Sequence, residues 1–528
     1  QENHSYNNTM LTKLFDTALK YFGLRDPHDF QHLLQFVGWS DPQPTRHRNA
    51  ERYEGYQSIV RKALRHNLLG SDAEEIIHGY HHPEATLDLV INTVKRADVP
   101  QHRIPIDEHY LSAWEYTRLA FQPSNKLRPV HLADMRYYDW NWHPNVEEPF
   151  YSDKRLRTAV EQAANAGLLP DGRMSFGNLK NVVFVRLRTF MHQIKRGQIT
   201  DHKILYPLVN VHVKPALSTP DKFKVRVIAG VSKLHVVPSA QRFWPLFRDW
   251  IENEKSPMLW GFETLLGGMS KLNQIMILRT PSFNSFVTVD WPSYDLGVLY
   301  DERSRCYDCY ESYFEFEKGY IPTKHYQESV ADPQHLRNAW NWIKDASRKM
   351  PIRFPDGSTY IMKDNVWFVY SGLFPTQSDD SLINHARIIT ILRSLGFDVT
   401  EKTVLIKVQG DDSIIMLVFL IPADQHEAFK QAFISKAKYY FGPEIRDDKI
   451  EIHNTPQQVE VLGYSNDNGY PVRDWKKLLA MLLHPRGSPS VEVLKAKVCG
   501  FAYASMYKWP QVISVLRDIW NFLPDVTP

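Results

Sequence analysis

Residues 404–420 read VLIKVQGDDSIIMLVFL, and the adjacent carboxylates Asp411 and Asp412 lie between two apolar runs. Like charges held together near a core repel, and burying either is costly. Two arrangements make the pair tolerable. One is a solvated turn, for which Gly-Asp is ordinary chemistry. The other is a site where a cation offsets the charge. A second acidic stretch, VDWPSYD, puts Asp290 at the end of the short run FVTVD, with Asp295 after four intervening residues. A strand end carrying Asp290 beside a hairpin tip carrying Asp411 makes a dicarboxylate site. Such a site suits two Mg²⁺ ions about 3.5–4 Å apart and in-line phosphoryl transfer, one ion activating a hydroxyl and the other stabilising the leaving oxygen. All-oxygen donors without a His/Cys cluster favour Mg²⁺ or Mn²⁺ over zinc.

Two further stretches bear on that chemistry. In YSGLFPTQSDDSLINHARI, Ser371-Gly372 ends an extended run and Thr376 leads towards a helix. Glycine permits a tight loop there, and small hydroxyl residues suit a ribose or a template backbone. The plainer reading is a helix start with Ser378 as N-cap. In DKFKVRVIAGVSK, Lys222, Lys224 and Arg226 alternate and so share one strand face. A basic stripe of this kind holds a triphosphate, with arginine offering a two-pronged fork. In isolation it also reads as a solvated face. No GxxxxGK[ST] occurs, which disfavours a P-loop ATPase or helicase.

The elements that must position these groups follow from periodicity. LTKLFDTALKYF opens the chain as an amphipathic helix, and 51–97 alternates helical pieces with His-rich turns. The stretch 121–153, rich in Pro, Trp and Tyr without a clear period, reads as a long ordered loop. VVFVRLRTFMHQIKRGQI and 332–349 read as helices. Leu382, Ala386, Ile389, Leu392 and Leu395 fall on one helical face. Residues 403–408 and 414–420 read as strands around the Gly-Asp-Asp turn, and Asp356-Gly357 turns between two others. DQHEAFKQAFISKAKYYF is helical, and so is most of 474–528.

The 528 residues exceed one ordinary domain, and 43% hydrophobic and 13% aromatic content supports a sizeable core. A formal charge of +3 neither announces nor excludes a nucleic-acid partner, since a positive channel needs only local charge. Three cysteines make no disulfide framework and fit a reducing compartment. Cys306 and Cys309 have CxxC spacing without a second pair, so ordinary thiols are expected. No membrane span is expected. The opening residues show no signal-peptide pattern, and a start at Gln1 suggests a trimmed or unrepresented terminus.

Together these motifs resemble a viral RNA-dependent RNA polymerase. VDWPSYD, SGLFPTQSDDSLIN and QGDDS are most similar to partitivirus polymerases, with picobirnavirus polymerases next. The resemblance implies an α+β right-hand fold of fingers, palm and thumb, the palm a small antiparallel sheet packed on helices. On that plan 1–120 bridges fingers and thumb, and 121–280 is fingers. Residues 281–305 and 351–474 are palm, 306–350 a fingers insertion, and 475–528 thumb.

The resemblance also assigns roles. Asp290 bridges two Mg²⁺ ions (Mn²⁺ substituting), Asp411 holds the ion that activates the RNA 3′-hydroxyl, and Asp412 supports them as a third metal-site acid. Lys222, Lys224 and Arg226 hold the NTP phosphates. Lys449 is the general acid for pyrophosphate, with Lys436 and Lys438 as competitors. Asp295, Ser371, Thr376 and Asn384 recognise the ribose. The general viral pattern has Asn where this chain has Asp380, so the role passes to Asn384, one helical turn on. VEVLGYSNDNGYPVRD resembles the palm-to-thumb hairpin, with Arg473 and Lys476 on the primer or product strand. WHPNVEEPFYSD is assigned to the template entrance. Implied partners are template and product RNA, NTPs and a viral capsid protein, inside a double-stranded RNA virus particle in the host cytoplasm, with initiation that needs no primer. The alternatives are a reverse transcriptase-like palm nucleotidyltransferase and a non-catalytic, capsid-associated RNA-binding protein.

Overall fold

Strand-forming residues gather into three small sheets set among helices. The computed structural model describes residues 2–523 apart from 24, 44–48, 222, 223 and 488. Its strands are β1 (Leu34–Trp39), β2 (Val209–Pro215), β3 (Val225–Gly230), β4 (Ser285–Val289), β5 (Ile352–Arg353), β6 (Ser358–Met362), β7 (Val404–Gln409), β8 (Asp412–Leu417), β9 (Ile450–His453), β10 (Glu460–Val461), β11 (Tyr464–Asp467) and β12 (Tyr470–Val472). The order is β1-β6-β5-β2-β3 in one sheet, β7-β8-β4-β9 in the second and β10-β11-β12 in the third. Mixed with long helices throughout, this is an α+β fold.

The four-stranded sheet carries the acids. Every pairing in it is antiparallel. β7 and β8 form a hairpin in which Gln409 faces Asp412, so Gly410 and Asp411 are its two loop residues. Gly410 has φ +61° and Asp411 has no positive φ, the pattern of a II′ hairpin with glycine at the first loop position. β4 and β8 pair as Ser285↔Leu417 through Val287↔Ile415. Carrying that register forward brings Asp290 level with Asp412. β8 is buried from Ser413 to Leu417, which accounts for its unbroken apolar sequence.

Helix Thr376–Ser394 supports the sheet and is buried nearly all round, as its apolar residues on every side require. It begins earlier than the sequence suggests. Pro375 occupies the N-cap and no side chain caps the helix, so Ser378 is not the cap. Ser378 lies inside the first turn, its hydroxyl 2.7 Å from the buried Tyr310 hydroxyl.

One large core unites both larger sheets and the helices around them. A second core joins helices Ala50–Asn67 and Gly70–His78 to Trp475–Leu483, Val491–Ala504 and Pro510–Phe522. Segments from near the two chain ends therefore share one apolar interior. A third core packs Ile414 and Met416 against Val459, Val461 and Tyr464, which fixes the three-stranded sheet to the back of β8. Cys306 and Cys309 are buried, unpaired thiols on helix Tyr300–Tyr313. Among the described residues no helix is long and apolar enough to cross a membrane.

Candidate active site

The Gly410-Asp411 turn is bolted to helix Thr376–Ser394. The Gly410 N–H donates to Ser381 Oγ at 2.8 Å. Asn384 Nδ2 donates to the carbonyls of Gly410 at 3.1 Å and Asp412 at 3.4 Å. Asn384 Oδ1 accepts from Trp291 Nε1 at 2.9 Å. One buried amide thus ties the turn carrying Asp411 to the residue that follows Asp290. Asp412 is held from the other side, its Oδ2 accepting the Leu462 N–H at 2.7 Å. Burial first, and the neighbouring Asp411 charge among lesser causes, push Asp412 up to about 6.

Asp290 leaves β4 with its N–H bonded to the Lys449 carbonyl at 2.9 Å. Lys449 Nζ comes back to 3.5 Å from Asp290 Oδ2. The competing lysines lie elsewhere: Lys438 pairs with Glu444 at 2.8 Å and Lys436 sits over the Tyr439 ring.

The charges around Asp411 come from three distant parts of the chain. Burial raises its pKa above the ordinary carboxylate range. Lys224 and Arg226 pull it down, while Asp295 and Asp290 push it up. Lys224 is exposed at the foot of β3, and Arg226, two residues on, is exposed with it. Arg226 Nε lies 3.8 Å from Asp295 Oδ2, and its NH2 donates to Ser371 Oγ at 3.4 Å. Lys222 lies outside the described residues.

Ser371 is placed by its backbone. Its carbonyl accepts the Ala229 N–H at 2.7 Å, and its own N–H reaches the Val227 carbonyl at 3.2 Å. The segment therefore runs beside β3, and a Cβ on Gly372 would sit 2.2 Å from the Ala229 carbonyl oxygen. With φ at +139° as well, only glycine fits. The basic strand, the serine loop, the Asp290–Asp295 segment and the acidic turn thus meet at one place.

The chain is 30% identical over 538 residues to the RNA-directed RNA polymerase of White clover cryptic virus 1 (isolate Boccardo/2004), covering 93% of this chain and 86% of that one. The chain belongs to the viral RNA-directed RNA polymerases. It is also 25% identical over 469 residues to the RNA-directed RNA polymerase of Atkinsonella hypoxylon virus (isolate 2H), covering 79% of this chain and 66% of that one. No family model matches the chain.

Several side chains of this polymerase are engaged in ways the sequence does not indicate. Asn384 is fully buried, and both ends of its amide are taken by the protein, so in this structure it braces the turn. Thr376 is also buried, its hydroxyl donating to the Leu373 carbonyl at 2.9 Å, which closes the loop that carries Ser371. Arg473 stacks on Tyr464 and bonds its hydroxyl at 3.3 Å. Lys476 is paired with Asp72 at 3.1 Å and Glu75 at 2.7 Å. Those two basic residues join the C-terminal helices to their neighbours in this structure.

Sequence reasoning missed Ser381 and the Arg387–Glu302 pair, and it gave Asp380 no role of its own. Ser381 and Asn384 are three apart, a spacing that marks one helix face and was available as a signal. Asp380 stands beside Asp295, and burial followed by that neighbouring carboxylate raises it well above the ordinary range. Its Oδ1 is buried without a hydrogen-bond partner. Arg387 Nε and NH2 grip the two Glu302 carboxylate oxygens at 2.6 Å each, with both side chains buried. Nothing in the sequence pairs residues 85 positions apart.

The donor set fits a hard divalent cation. Asp290 and Asp411 offer carboxylate oxygens, with Asp412 beside them, and Asp411 lacks enough opposing charge to bring its pKa to the usual range. Among the described residues no three His, Cys, Asp or Glu side chains converge into a ready-made cage.

Proposed function

We propose that this polymerase extends RNA by transferring a nucleoside monophosphate from an NTP to an RNA 3′-hydroxyl at the Asp290–Asp411 site. The observation that carries the reading is the electrostatic neighbourhood of Asp411, which contains Asp290, Asp295, Lys224 and Arg226 together. Two Mg²⁺ ions, with Mn²⁺ as a substitute, would be held by Asp290 and Asp411, and supply hydroxyl activation and charge neutralisation on the phosphates. Asp412, held by the Leu462 N–H, sets the position of the turn and contributes negative field.

The protein's own groups do the rest. Lys224 and Arg226 bind the triphosphate oxygens, arginine through its fork. Arg226 also links that grip to Asp295 and Ser371, so phosphate binding and ribose placement share one side chain. Lys449 Nζ, 3.5 Å from Asp290, carries a proton that pyrophosphate takes as it leaves.

The right-hand assignment is part of the proposal. The four-stranded sheet with helix Thr376–Ser394 is the palm, spanning 281–305 and 351–474. Residues 121–280 with the insertion 306–350 are fingers, 475–528 thumb, and 1–120 the bridge, a role supported by the core that 50–78 shares with the C-terminal helices. The cellular setting is a double-stranded RNA virus particle in the host cytoplasm, with a capsid protein as neighbour.

The test is incorporation of labelled NTPs on unprimed single-stranded RNA with Mg²⁺, comparing wild type with Asp411→Ala and Asp290→Ala. Loss of incorporation with an unchanged fold is expected for both. Wild-type extension by purified Asp411→Ala refutes the site.

A further inference from the structure

The amphipathic stretch LTKLFDTALKYF forms most of helix Glu2–Tyr21, far in sequence from the acid cluster. Its two faces are reversed. A helix on a globular protein normally turns its apolar side inward. Here Asp16 and Lys20 are half-buried and pair with Arg25 and Asp29 of the segment that follows. The apolar side is the open one. Met10, Leu11, Leu14 and Phe15 are 56–63% exposed, and Tyr21 and Phe22 are more exposed still. At about 100° per residue these six side chains and Ala18 fill an arc of about 140°. No Asp, Glu, Lys or Arg of residues 9–22 falls within that arc.

The apolar surface continues past the helix end. The Trp39 indole N–H donates to the Gly23 carbonyl at 3.0 Å, which sets the end of β1 next to Phe22. β1 is an edge strand of the five-stranded sheet, and its Val37 and Trp39 are 50% and 45% exposed. Apolar side chains exposed singly are ordinary, whereas a contiguous patch this large on a monomer is not. An aromatic side chain buries about 150–250 Å² when covered, so at these exposures the eight large side chains offer roughly 800 Å². That matches the share of about 800 Å² that each partner gives to a stable interface.

The spacing of the arc indicates what covers it. Leu11, Leu14, Ala18 and Tyr21 follow one another at intervals of three, four and three, the seam of a helix that pairs with another helix. Met10, Phe15 and Phe22 flank the seam where paired helices commonly carry charges. With those flanks uncharged, two identical seams meet without like-charge repulsion, and a two-fold axis lets one patch serve both sides. We propose that helix Glu2–Tyr21, with Trp39 and Val37 of β1, is the contact through which two copies of this chain pair as a symmetric dimer, their helices packed seam to seam. A nucleic acid needs cations, and the arc has none. A helix lying on lipid carries lysines and arginines free to reach headgroups, whereas Lys20 is tied to Asp29.

The test is the oligomeric state of the full chain, nuclease-treated, by analytical ultracentrifugation at rising protein concentration and at low and high salt. At about 10 µM the wild type should sediment at twice the mass of one chain, an affinity within reach of an interface of this size. High salt should leave the dimer in place, because its seam is apolar and salt screens only charges. Leu14→Glu/Phe15→Glu puts carboxylates into the seam of both copies and should weaken association by roughly hundredfold or more. Leu11→Lys, at another exposed position of the seam, should weaken it as well. Lys13→Ala lies outside the arc and should pair as wild type does. Circular dichroism of the diluted proteins checks the fold of each variant. A wild type that stays monomeric overturns the proposal, and so do seam variants that keep their fold and still pair. A monomer that floats with anionic lipid vesicles assigns the face to lipid and overturns it too.

Discussion

Asp412→Asn offers a quantitative check on the electrostatics of the turn. Asp412 has a folded pKa of about 6 against an ordinary value of 3.8. A raised folded value means that the folded protein binds the proton more tightly than the unfolded chain does. Stability contributed by that proton is complete below the unfolded value and disappears as pH rises through the folded one. The difference of about two pKa units corresponds to about 3 kcal/mol, lost between about pH 4 and pH 6. Asparagine is neutral throughout, and its Oδ1 can still accept the Leu462 N–H, so the variant escapes the loss. Unfolding entropy of about 2.1 cal/mol/K per residue gives about 1.1 kcal/mol/K for a chain of this length, so the gain is about 3 °C. In metal-free buffer at about pH 8 the variant should therefore melt about 3 °C above wild type, and the two should coincide near pH 4. Differential scanning calorimetry at both pH values reads this directly. Equal melting at the higher pH, or a less stable variant there, refutes the claim that the fold holds Asp412 against its charge. Added Mg²⁺ should stabilise wild type more at the higher pH than at the lower.

Other perturbations separate the parts of the site. Arg226→Ala should raise the KM for NTP more than it weakens template binding, because its guanidinium is exposed between Asp295 and Ser371; unchanged NTP kinetics remove it from the site. Gly372→Ala should cost at least about 2 kcal/mol in stability and lower incorporation, since its Cβ would meet the Ala229 carbonyl oxygen and its φ is strained for any side chain; a variant of wild-type stability contradicts the geometry. Arg387→Leu should destabilise by about 3–5 kcal/mol, because it strands the Glu302 carboxylate in the core; a loss of unfolding free energy of less than about 1 kcal/mol in denaturant titration contradicts the pairing.

The parts of the site that were legible in the sequence are those whose signals are local. FVTVD ends on Asp290 because a short β-branched run makes a strand, and the acid that follows it marks where pairing stops. The Gly-Asp turn between two apolar runs is a hairpin for the same kind of reason. Lys224 and Arg226 share a side through strand alternation. The hydrogen-bond partners of a site residue were less legible than its position. Asn384 and Thr376 belong to chemistry that suits a sugar, but their partners are the carbonyls of Gly410 and Leu373, which only the folded chain brings within reach. Ser378 has the composition of a cap, yet the helix starts at Thr376 after Pro375 at the N-cap, which puts the serine inside the first turn against Tyr310. The Arg387–Glu302 pair was invisible because its two halves sit on different helices with no shared period.

These details converge on why the acidic turn is so heavily braced. The raised pKa values of Asp380, Asp411 and Asp412 all begin with burial and are all pushed further by neighbouring carboxylates. Left to itself, such a cluster would spread until water separated the charges. Ser381 and Asn384 hold the turn from the helix side, Leu462 holds Asp412 from the hairpin side, and Trp291 carries the constraint to the segment of Asp290. The braces are neutral hydrogen-bonding groups, so they fix geometry without cancelling charge. Lys224, Arg226 and Lys449 approach from the open edge with partly exposed side chains. Neutral supports beneath and partly exposed cations above leave a negative field of fixed shape, and on the proposed reading a divalent ion bound with a polyphosphate would relieve the repulsion that the fold maintains.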